Sequence, residues 1–201
     1  RIGLALLAWR EEKKLSRNFP MPLDERYFQV LLRSFHAKAE RVRVVPFSYT
    51  LSEASRSGLE ATLARSFGSG ASLIFEAPMR WGDDESVVRR VSREGKEPVV
   101  VVFNLTATPE DDVHGAFVEA LRAHLAPRQN VIAMVDGAEF EARWPADTVR
   151  LEKRRRAWSD LFTAHRLPMV YVNLANPDLK AANAAIDEAL AATDADNRAM
   201  P

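Results

Sequence analysis

Val99-Val100-Val101-Val102-Phe103 is a run of five apolar residues, closed by Asn104. No polar residue interrupts it, so neither face of the segment is suited to water. So short a run reads as a strand in the middle of a parallel sheet, covered by helices on both faces.

Working outward, this strand extends over Pro98–Leu105, and similar runs occur at Val42–Tyr49, Ser72–Met79, Asn130–Val135 and Met169–Leu174. The segments between them carry helical spacing. Leu59, Leu63 and Phe67 fall at i, i+4 and i+8, and Gly68 and Gly70 supply a stop. Val113, Phe117, Ala120, Leu121 and His124 form one stripe; Leu151, Trp158, Leu161, Phe162 and His165 form another. The stripe Leu179, Ala182, Ile186, Ala189 and Leu190 is the most regular, with Asn176 expected as its N-cap and Pro177 at its first helical position. Strands separated by such helices predict right-handed crossovers in one open, mostly parallel α/β sheet of five or six strands, Rossmann-like in type.

The expected domain spans residues 41–193. Residues 1–40 are expected to extend it, with Ile2–Trp9 as a strand or helix and Asp24 capping a helix that buries Tyr27, Phe28, Leu31, Leu32 and Phe35. Residues 194–201 are polar and are expected to fray as a disordered tail.

Composition narrows the functional classes. The 201 residues carry a formal net charge of zero, which argues against a general nucleic-acid binder. The chain has no cysteine, so disulfides and thiolate metal sites are excluded. Ile2–Trp9 is far shorter than the ~20 apolar residues a membrane span requires. It also lacks the layout of a signal peptide. The start at Arg1 suggests a domain cut from a longer protein, with any membrane segments upstream.

Ligands of open parallel sheets bind where the strands end. That rim holds Ser48, Tyr49 and Thr50; Arg80 and Trp81; Asn104, Thr106 and Thr108; Asp136, Gly137 and Glu139; and Asn173. Ser48, Tyr49, Asn104, Thr106, Thr108 and Asp136 are the candidate ligand-binding residues, although any solvated strand end has such a composition. The first strand-to-helix junction, Val45-Pro46-Phe47-Ser48-Tyr49-Thr50-Leu51-Ser52, has neither glycine nor lysine. Neither the Walker nor the dinucleotide-binding pattern is present, so phosphate cradling is not expected there.

In Asn104–Gly115, Thr108 is expected to cap a helix, with Pro109 in its first turn and Glu110, Asp111 and Asp112 facing the helix dipole. The alternative is catalytic: His114 as general base, oriented by Asp111 or Glu110 and converging with Asp136. The histidines His36, His114, His124 and His165 show no ligand-pair spacing, so no metal is expected. Ser48 and Ser52 lack a nucleophile elbow. Asp83, Asp84 and Glu85 read as a solvated turn. Arg150, Lys153, Arg154, Arg155 and Arg156 form a basic run in which Arg150, Lys153 and Arg154 share an exposed face. That face is either simply solvated or a contact for an acidic protein or anionic headgroups. Trp9, Trp81 and Trp144 lie near segment ends, as interface anchors or as core.

Arg43-Val44-Val45-Pro46-Phe47-Ser48-Tyr49-Thr50, together with Phe103-Asn104-Leu105-Thr106-Ala107-Thr108-Pro109-Glu110 and His114-Gly115, resembles the C-terminal cytosolic region of a bacterial inner-membrane family of unassigned function. Members carry upstream transmembrane helices and are commonly encoded beside a GTPase-like protein. The resemblance implies an excised domain on the cytoplasmic face of the inner membrane, with its function unassigned even at family level and no established catalytic residue; a protein partner, with a GTPase as the candidate, and no cofactor are expected. The chain is also loosely similar to the GTPase fold itself. There Val99–Phe103 would precede the magnesium-linked acid and Asn130–Val135 the base-reading motif, but Asn104 and Val135-Asp136-Gly137-Ala138 depart from both. The chain would then be a degenerate relative without hydrolysis. The leading expectation is a non-catalytic interaction or regulatory domain. A nucleotide or small-ligand sensor and a hydrolase-type enzyme at the rim stand as alternatives.

Overall fold

The computed structural model describes residues 41–80, 82, 97–124 and 129–199. The chain divides into two units, Arg1–His36 and Ala37–Pro201, of which the second carries the fold. The elements expected before residue 41 lie outside the described residues, as do Trp9, His36, Trp81, Asp83, Asp84 and Glu85.

The central valine run forms β3 (Val99–Asn104), and its side chains divide by parity as the pleat requires. Val99, Val101 and Phe103 enter one buried cluster; Val100 and Val102 enter the other. Around β3 lie β1 (Arg41–Pro46), β2 (Ser72–Phe75), β4 (Val131–Asp136) and β5 (Met169–Val172). The five strands are parallel throughout, in the order β2-β1-β3-β4-β5. This is the flavodoxin-type doubly wound arrangement, with its switch point between β1 and β3.

Each face has its own helices. On one side α1 (Glu53–Phe67) buries Leu59, Leu63 and Phe67, and α5 (Leu179–Ala199) buries Ala182, Ile186, Ala189 and Leu190. On the other, α2 (Ala116–His124), the short α3 (Ala138–Arg143) and α4 (Thr148–Ala164) contribute Phe117, Leu121, Phe140, Trp158 and Phe162. Gly58 allows α1 to approach the turn after β5: a Cβ there would stand 1.8 Å from the Leu174 carbonyl oxygen.

Several local expectations are corrected. The first strand stops at Pro46, because Ser48 adopts a left-handed φ of 48° and turns the chain. The second is shorter than expected, although Met79 returns to bridge Phe47. Helix α5 is capped by Asp178, whose carboxylate accepts the Lys180 and Ala181 amides. Asn176 instead belongs to a turn closed by the Asn173 side chain, and Pro177 precedes the cap rather than opening the helix, which starts at Leu179. The same helix continues to Ala199, through most of the segment expected to fray. Thr108 caps no helix: the helical turn begins only at Asp111, with Glu110 before it, and the Thr108 hydroxyl accepts from Arg154. The chain enters α2 through a π-helical turn, Asp111–Gly115, preceded by Glu110.

Candidate functional site

The crevice beside the switch point is where this topology places a ligand. In this chain it is crossed by a side chain. Tyr49, in the turn after β1, donates its hydroxyl to Asp136 Oδ2 at 2.7 Å. Asp136 ends β4, so the contact passes over the end of the intervening β3.

Asp136 is 1% exposed, and its carboxylate meets three donors. Besides Tyr49, the Ala138 amide reaches Oδ1 at 2.8 Å and the Leu174 amide at 3.0 Å. A buried carboxylate needs such a shell, because desolvation without partners is costly. Burial raises the Tyr49 phenol well above its usual range, and the hydrogen bond to the Asp136 carboxylate and its charge add to the effect.

The remaining rim groups are similarly engaged. Asn104 Oδ1 accepts the Thr106 amide at 2.8 Å and its hydroxyl at 2.7 Å, while Nδ2 donates to Glu139 at 2.8 Å. Glu141 accepts from the Tyr171 hydroxyl, and from Asn173 at 3.0 Å. Tyr171 is also raised, first by burial and then by Glu141. Its hydroxyl passes directly over Gly137, where a Cβ would stand 2.2 Å away. The Arg155 guanidinium lies 4.2 Å from the centroid of the Tyr171 ring.

Of the candidate ligand residues, Tyr49, Asn104, Thr106 and Asp136 therefore form one edge, held by bonds internal to the chain. Ser48 is exposed in the turn, its amide bound to the Met79 carbonyl. Thr108 is drawn away to α4. At the β1–α1 junction Ser52 accepts the Ser55 amide, so a side chain of the protein itself caps this helix start. The acids at the edge, Asp136, Glu139 and Glu141, disfavour a phosphate.

The candidate catalytic residues have separate partners. His114 is buried, with Phe47, Phe103 and Trp158 around its ring, and the closest of these, Trp158, has its centroid 4.8 Å away. Its Nδ1 accepts the Glu110 amide at 3.1 Å. Burial pushes the imidazole below its ordinary pKa, an effect Glu110 offsets only in part. Asp111 turns instead to His165, with Oδ1 2.6 Å from Nε2, and His165 Nδ1 lies 3.4 Å from Glu119. Gly115 leaves room for this pair, since a Cβ there would meet both side chains. His114, Asp111 and Asp136 are thus held in three different bonded settings. Among the described residues no group of acids and histidines is arranged to hold a metal.

On α4 the expected basic triad is divided. Arg154 donates to the Ala107 carbonyl and the Thr108 hydroxyl, pinning the loop after β3. Arg150 pairs with Asp147 at 3.2 Å and lies 5.0 Å from the Trp144 ring. Lys153 is exposed. The pairings His165–Asp111 and Tyr171–Glu141 had no sequence signal, because their partners lie in separate elements. Among the described residues no helix is long and apolar enough to cross a membrane. The chain matches no protein-family model and no curated protein.

Proposed function

We propose that this domain is a non-catalytic interaction module built on a nucleotide-binding type of scaffold. The observation that carries the reading is the Tyr49–Asp136 bond, which joins the turn after β1 to the tip of β4 over the strand ends where this topology places a ligand. A catalytic rim needs a nucleophile, a base and space for a reacting group. Here the candidate base is enclosed by aromatic rings, and the polar rim groups bind one another. Conserving the scaffold while filling its crevice suits a domain that works through its outer surface.

The sequence resemblance adds a place and a partner class: the cytoplasmic face of a bacterial inner membrane, and a GTPase-type protein. The test is calorimetric titration of the chain with a GTPase-like protein of the kind the resembled family is encoded beside, loaded in turn with GDP and a GTP analogue. Saturable binding in either state supports the reading. Absence of binding in both states removes the GTPase from it.

A further inference from the structure

We infer that the outward face of α4, centred on Val149, Lys153 and Arg156, is a docking surface for an acidic helical segment of a protein partner. This rests on reading the domain as an interaction module. Five cations lie between Arg150 and Arg156, and three of them are engaged within the chain. Arg150 pairs with Asp147, Arg154 holds the loop at Ala107 and Thr108, and Arg155 joins Glu152 and covers Tyr171. Lys153 and Arg156 are exposed and have no ion-pair partner among the described residues.

Val149 is 65% exposed, the one large hydrophobic so exposed among the described residues. Val149, Lys153 and Arg156 follow at i, i+4 and i+7, which places them on one line about 10 Å long. The complement of that line is an apolar side chain followed by two carboxylates one helical turn apart.

The chemistry favours protein over lipid. A continuous anionic bilayer would have to cover Glu152 and Asp160, exposed on the same helix, whereas a segment with two carboxylates can be seated on Lys153 and Arg156 alone. One valine also gives little area for insertion between headgroups. Loss of two rim ion pairs should weaken binding about tenfold, since each exposed pair contributes little.

The experiment uses the full chain and a short synthetic helical peptide bearing Leu and two Glu residues at the matching spacing, with binding followed by amide chemical shifts. Expected are shifts around Val149, Lys153 and Arg156, weakening with salt and about tenfold weaker binding to the K153E/R156E variant. A peptide with Lys in place of Glu should bind that variant better than the original chain. Unchanged melting of the variant shows that the fold is intact. Equal binding by chain and variant, or no peptide binding, overturns the inference. So does binding to phosphatidylglycerol vesicles through these residues without peptide binding. None of these outcomes alters the separate GTPase titration, so failure here leaves the interaction-module reading to its own test.

Discussion

The Tyr49 hydroxyl reaches Asp136 across the end of β3, tying the turn after the first strand to the tip of the fourth. Phenylalanine at position 49 keeps the ring but leaves Oδ2 without this donor. Tyr49→Phe should cost about 2 kcal/mol in urea denaturation, the usual value for a hydrogen bond to a buried charged group. Both Tyr49 and Tyr171 have raised pKa values in the folded chain. Their contribution is therefore complete below about pH 10, where the unfolded phenols begin to ionise, and falls as pH rises further. The alkaline loss should be smaller in the variant.

His114 titrates in the opposite sense. Burial depresses its folded pKa below that of the unfolded chain, near about 6.5. The unfolded state thus takes up a proton first, and stability falls as pH drops through that value. Ring resonances followed by NMR should give a midpoint below the ordinary histidine value. A midpoint at or above it would contradict the buried setting.

Gly58 tests the packing of α1. Alanine gains about 1 kcal/mol of helix propensity. Its Cβ, however, would fall 1.8 Å from the Leu174 carbonyl oxygen, which is backbone and cannot swing aside. Overpacking should win, so Gly58→Ala is expected to destabilise by about 2 kcal/mol. Equilibrium denaturation measures it directly.

Arg166 ends α4 with a φ of 52°, in the position that glycine usually fills. The Leu167 amide returns to Phe162 and the Arg166 amide to Thr163, while Leu167 and Phe162 join the same buried cluster. The motif is complete except for its residue. Arg166→Gly should relieve the left-handed penalty and add about 0.5–1 kcal/mol to stability, read as a higher melting temperature.

The fold was legible because Val99–Phe103 could only be a doubly buried strand, and the helical stripes at Leu59, Phe117 and Ile186 matched its covering layers. Strand order was not legible, since periodicity carries no information on which strands are neighbours. The rim was legible as a set of positions but not as a network. Tyr49 and Asp136 lie 87 residues apart, and no local pattern joins them. Thr108 shows the limit most clearly. Its sequence context is that of a helix cap, but the cap position falls two residues later, at Glu110, and the Thr108 hydroxyl accepts from Arg154 on α4, 46 residues away.

The most direct test of the closed crevice is thermal unfolding of the chain with guanine and adenine nucleotides, NAD and FMN. A ligand at 100 times its dissociation constant would add about 2.7 kcal/mol, a shift of several degrees. With Tyr49 bound to Asp136, the melting temperature should not move with any of them. A concentration-dependent rise with one of these ligands, lost on changing Asp136 to Asn, would contradict the account and make the crevice a working site.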